Sequence, residues 1–125
     1  MQPASGGVNV KKVSDNDDLL QLQLTEQALR PDADSEHDPM TPLLGERGYN
    51  RAAVLSLANT VYVSSAGLAL LLVWHKCFRE AGGKLVFHSI TASVMEMLRI
   101  LHMELVLNLA QDVNSALAAA RGEAT

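Results

Sequence analysis

Apolar and polar residues change their spacing several times along this chain, and each change predicts an element. Val8, Val10 and Val13 are spaced as in a strand, Ser14-Asp15-Asn16-Asp17-Asp18 is a turn cluster, and Leu20, Leu22 and Leu24 alternate with Gln21 and Gln23. Two such runs about an Asp/Asn turn predict a β-hairpin whose second strand has one apolar face. Residues 25–50 lose this rhythm. Pro31, Pro39 and Pro42 with Asp32, Asp34 and Asp38 predict an acidic, loop-rich stretch, either a partly mobile insertion or a plain surface loop. A short helix from about Met40 to Glu46 would have Thr41 as cap and Pro42 as first residue. Ala52-Ala53-Val54-Leu55-Ser56-Leu57 is a continuous apolar run, as in a strand covered on both faces.

The period then becomes helical. From about Ser65 to Ala81, residues Leu70, Trp74, Cys77, Phe78 and Ala81 fall on one stripe, and His75, Lys76, Arg79 and Glu80 on a wet face. Gly82-Gly83 stops this helix, one glycine taking the left-handed position. Leu85-Val86-Phe87-His88 is the next strand. Val94, Met97, Leu98 and Leu101 predict a helix over 92–101, capped by Thr91 or by a Ser93–Glu96 box. A connector at His102–Glu104 leads to a short strand over 105–109. Asp112 then caps a last helix with Val113, Ala116, Leu117 and Ala120 on one face. Residues 1–7 and 122–125 are expected to be disordered tails. Strand, helix, strand requires a right-handed parallel unit, which brings the loop His88–Thr91 to the same rim as the head of the central helix. The whole predicts a single α/β domain over 1–125, a small mixed sheet with helices packed mainly on one face.

Composition narrows the class. Only 4% of residues are aromatic, so the core is built from Leu, Val, Ala and Met. The formal net charge of -4 argues against a non-specific nucleic-acid or membrane-surface binder. Residues 1–50 hold nine acids and four bases, against five and six in 51–125, so the acidity is concentrated in the first part. A lone Cys77 excludes an internal disulfide and fits a reducing compartment. Met1–Lys12 has no apolar signal core, and the longest apolar run, Ala66–Trp74, falls far short of the ~20 residues that span a bilayer. A cytoplasmic protein without membrane insertion is expected.

Candidate chemistry gathers in Val61-Tyr62-Val63-Ser64-Ser65-Ala66-Gly67-Leu68. Ser64 or Ser65 supplies the helix N-cap, which puts a hydroxyl at the positive end of a helix dipole. The small residues Ala66 and Gly67 let another molecule approach the backbone. The stretch has no acid or His to activate a nucleophile. "YVSSAGLALLL", followed by "REAGGKLVFHS", resembles the STAS domains of anti-sigma-factor antagonists from about Ala53 to the end of the chain. In that family the pattern is Asp-Ser-Ser-Gly-Leu or Ser-Ser-Ala-Gly-Leu, with a phosphate-accepting serine. Carried over, Ser65 falls on the acceptor, Ser64 where most members have Asp, Ala66 on the next small residue and Gly67-Leu68 on the Gly-Leu pair. The departure at Ser64 removes an acid beside the acceptor.

The resemblance implies a protein-binding module of bacterial transcription control. Such a module sequesters an anti-sigma factor that is also a serine kinase, is switched off by phosphate on Ser65 (Ser64 being the alternative acceptor), and is reset by a serine phosphatase. Ser64, Ser65, Ala66, Gly67, Leu68, His88 and Ser89 are the expected partner-binding residues. A second reading is a constitutive STAS accessory subunit of a transporter or signalling complex, never phosphorylated. A third is a small-ligand sensor using the same rim. No cofactor is expected, since no Walker-type or dinucleotide glycine motif is present. No metal is expected either, because His37, His75, His88 and His102 share no zinc spacing. His88 is the histidine expected near Ser65, as a strand-end residue or as a contact to a partner or phosphate. A Ser65 hydrolase lacks a Gly-x-Ser-x-Gly elbow and a placed acid, so the expectation is a non-enzyme. Cys77 reads as packing, and Met95, Met97 and Met103 as core filler.

Overall fold

The computed structural model describes residues 8–16, 19–31 and 39–122. Asp17 and Asp18 of the expected turn, the acidic stretch 32–38 and the expected tails, Gly122 excepted, lie outside the described residues. The hairpin forms as expected. Strands β1 (Val10–Asp15) and β2 (Leu19–Leu24) pair antiparallel, with a bulge at Val13 that shifts the register between Lys12 and Ser14. Strands β4 (Ala52–Ser56), β6 (Lys84–His88) and β7 (Asn108–Ala110) add in parallel, giving the order β1-β2-β4-β6-β7.

Alternation along each strand divides the core. Leu20, Leu22, Leu24, Leu55, Leu85 and Phe87 face helices α2 (Ser65–Glu80) and α3 (Ala92–Ile100), meeting Leu71, Trp74, Phe78, Val94 and Leu98. Leu19, Val54 and Val86 face the other way, against Ala116 and Ala120 of α4 (Val113–Ala120). The fold is therefore a mixed five-stranded sheet with its helices mainly on one face.

Several boundaries differ from expectation. The helix α1 (Thr41–Leu44) starts one residue early, so Thr41 is helical and Met40 stands at the cap without a side-chain bond. The last strand begins at Asn108, because Met103–Leu105 forms a 3-10 turn that uses up the expected start. The buried stripe of α2 is rotated. Gly67, Leu68, Leu71, Trp74, His75 and Phe78 are buried, whereas Ala81 is exposed and Cys77 half-buried. Leu101 and Val113 are likewise exposed. His75, which the periodicity assigned to the wet face, is buried, and it lines a cavity together with Val106 and Asn108.

The central helix ends as expected, with Gly82 at φ 89°. Beside this turn, where the Lys84 N–H donates to Arg51 O at 3.1 Å, Arg51 ties the hairpin to α1. Its guanidinium donates to Leu44 O at 3.0 Å, to Asp15 Oδ1 at 2.7 Å and to Asn16 O at 2.8 Å.

Candidate functional site

Ser64 is the cap of α2. Its backbone is extended (φ −75°, ψ 173°), and its Oγ accepts from the Gly67 N–H at 3.0 Å. An Asp here would accept the same bond, so serine keeps the capping and omits the charge. Ser65 is then the first helical residue. Its side chain is exposed and makes no hydrogen bond to any described residue. The N–H groups of Ser65 and Ala66 begin the helix and have no carbonyl partner within it, so they add positive potential beside the free hydroxyl.

A two-residue strand that periodicity missed holds this turn in place. Strand β3 (Ala28–Leu29) pairs in parallel with β5 (Tyr62–Val63), apart from the main sheet. Leu29 O accepts from the Ser64 N–H at 2.9 Å, Gln27 O from the Val61 N–H at 2.8 Å, and Glu26 O from the Thr60 hydroxyl at 2.7 Å. Gly67 is where this strap crosses the helix. A Cβ there would stand 2.5 Å from Leu29 O and 2.7 Å from Val63 Cγ1. The glycine thus admits the protein's own backbone.

The second strap comes from α3. Thr91 stands at the N-cap as expected but makes no side-chain capping bond; its hydroxyl donates to Thr60 O at 2.8 Å, and that of Ser93, inside the helix, to Val61 O at 3.0 Å. These bonds bring the loop after β6 and the head of α2 to one rim.

The surface of that rim differs from the expected one. Gly67 and Leu68 are buried and face the core. What a visitor would meet is Ser65, Ala66, Ala69 and Val73 along α2, with Val61 and Tyr62 beside them, the last two 52% and 47% exposed. Ala66, Ala69 and Val73 share a helix face at i, i+3 and i+7. No charged residue occurs from Val61 to His75, so the strip is neutral.

His88 does not join it. It shares a strand face with Val86, the α4 face, and is 5% exposed, beside Gln21, Gln23, Ser56 and Val113. Its Nδ1 is 2.9 Å from Ser89 Oγ, and Ser89 has a left-handed backbone (φ 57°). Burial holds the His88 pKa below its usual value, opposed by the carboxylate of Asp112. Asp112 Oδ1 accepts from the Ser115 N–H at 2.8 Å, and that bonding lowers its own pKa. No cluster of three or more His, Cys, Asp or Glu able to hold a metal ion occurs among the described residues. No helix among them is long and apolar enough to cross a membrane.

Comparison with known families agrees with this architecture. A family model described as STAS domain matches residues 15–116. No curated protein matches the chain.

Proposed function

Because the chain belongs to the STAS domain family, whose match spans most of its length, we propose that it is an anti-sigma-factor antagonist switched by phosphate on Ser65. Protein–protein interaction is the general role that STAS domains imply. The specific reading is that the unmodified rim captures an anti-sigma factor with serine-kinase activity, without catalysis of its own. One observation carries it. Ser65 offers a free, exposed hydroxyl at the head of α2, within a strip that has no charge. Phosphate adds about −1.5 to −2 charges at neutral pH. The helix terminus stabilises such a charge by about 0.3–1 kcal/mol, so the fold tolerates it. A partner packed on Ala66, Ala69 and Val73 would have to desolvate it, so the complex does not. Ser64 is the poorer acceptor, because its hydroxyl already caps the helix.

Mass spectrometry of the protein from its native cells tests the modification. Phosphate on Ser65 is expected, and unmodified Ser64 and Ser65 under all growth conditions would refute it. Against a kinase recovered by pull-down, Ser65→Ala should keep the affinity and Ser65→Asp should lower it at least about tenfold. The constitutive-subunit reading draws on Ser64, which leaves the acceptor without a neighbouring acid. Recovery of transporter components in the pull-down would favour it.

A further inference from the structure

The far end of α2 has a feature unrelated to this switch. It lies about 20 Å along the helix from Ser65 at 1.5 Å per residue. His75 is 5% exposed, although its neighbours Lys76 and Arg79 are exposed. Its Nδ1 is sealed from solvent without a partner, and no described residue hydrogen-bonds either ring nitrogen. The ring lines an open cavity of about 340 Å³ with Arg79, Leu85, Val106 and Asn108. That volume lies within the ~300–1,000 Å³ of small-molecule sites.

The charges around the cavity are all basic. Arg79 comes from α2 and has no ion-pair partner among the described residues. Lys84 comes from β6, and its ammonium is already held by Ala119 O at 2.9 Å. The segment through Val106 and Asn108 contributes no titratable group, and Asn108 donates its amide to Leu85 O at 3.1 Å. No acid lines the space. Arg79 and an imidazole with an unused nitrogen therefore line a space with one exposed apolar wall, Val106. A guanidinium fork matches a carboxylate in two parallel hydrogen bonds. The cavity also adjoins the C-terminal turn of α2, where the dipole disfavours added negative charge. One charge can be offset by Arg79, whereas a dianion is disfavoured.

We propose that this cavity binds a small organic monocarboxylate. Arg79 holds the carboxylate, His75 donates to it through Nε2, and Val106 covers its apolar body. An anion beside the ring favours its protonated form, so affinity should rise as pH falls below neutrality.

The test is NMR of the His75 ring in the full-length protein, titrated with benzoate, benzyl alcohol and inorganic phosphate. Saturable shifts with benzoate, and a higher His75 midpoint in its presence, are expected. Benzyl alcohol should bind at least about tenfold more weakly, the loss of one charge-assisted hydrogen bond being of that order. Phosphate, a dianion at about pH 8, should at that pH also bind at least about tenfold more weakly than benzoate beside the helix C-terminus. Arg79→Gln, an exposed change, should weaken benzoate by a similar factor with Tm unchanged. Absence of saturation by benzoate at millimolar concentration would overturn the proposal. So would equal binding of benzyl alcohol or phosphate, or undiminished affinity in Arg79→Gln.

Discussion

Gly67 gives a sharp test of how the rim is built, because two effects of Gly67→Ala have opposite signs. Alanine in place of glycine in a helix is ordinarily worth about 1 kcal/mol in favour of the variant. Here the new Cβ would meet the Leu29 carbonyl oxygen at 2.5 Å and Val63 Cγ1 at 2.7 Å. Both are far inside van der Waals contact, and the first is backbone, so the strap must move. Overpacking of this kind costs about 1–3 kcal/mol. Moving Leu29 also weakens the 2.9 Å bond from the Ser64 N–H, for roughly another 1 kcal/mol. With the steric cost near its upper end, the net loss is about 2–3 kcal/mol, or roughly 6–15 °C in Tm for a chain of this size. Thermal and urea denaturation measure it. Ala69→Gly, on the exposed face of the same helix, should lose only about 1 kcal/mol and serves as the control. A Gly67→Ala variant as stable as the parent, or more so, would show that β3 does not press on the helix and would refute the two-strap account of the rim.

Other expectations follow from the same geometry. Ser64→Ala should cost about 1 kcal/mol in denaturation, while Ser64→Asp should hold or raise stability, since aspartate caps equally well at a positive helix end. Arg51→Met should lower Tm by more than Asp15→Asn, because Arg51 also serves Leu44 O and Asn16 O; the reverse order would show that the ion pair alone matters. Acid should destabilise the fold in two stages. Burial lowers the pKa of His75 and His88, with Arg79 adding to the effect at His75 and Asp112 opposing it at His88, so the unfolded chain binds protons first as pH falls through 6.5. Stability is then full above that value and declines below it. Asp15, lowered by its hydrogen bond to Arg51 and then by Lys12, adds a second decline as pH falls through 3.8 and below. Denaturation midpoints that stay flat between neutrality and the carboxylate range would contradict the first stage.

Much of this was legible because it was local. The serine before a helical period, the glycines after it and the alternation in β2 each carry their own signal within a few residues. What escaped depends on residues far apart in the chain. Strand β3 is two residues long and exists only because Tyr62 and Val63 pair with it from 34 positions away. Periodicity put His75 on the wet face because its own helix does not reveal that its surroundings are shared with β6 and with Val106 and Asn108. Thr91 does occupy the cap position, but its hydroxyl and that of Ser93 reach carbonyls of another loop. Gly67 was read as an opening that lets another molecule approach the helix backbone. A glycine within a helical run is a known sign of close approach, but the sequence does not say whose backbone comes near. For the rim, the serines were placed correctly at the helix head, while the exposed small and apolar residues there are Ala66, Ala69, Val73 and those before the cap, with Gly67 and Leu68 buried.

The bulge at Val13 bears on what kind of company this molecule can keep. The outer strand of the hairpin is bent there and has Lys11 and Lys12 exposed beside the bend. A crooked, positively charged margin is a poor template for a stranger's strand, and it discourages stacking into fibrils. At the other margin β7 offers only three residues, too few for a lasting graft. Ladder extension at either margin of the main sheet is thereby disfavoured, and the surface left for contacts is one that side chains shape.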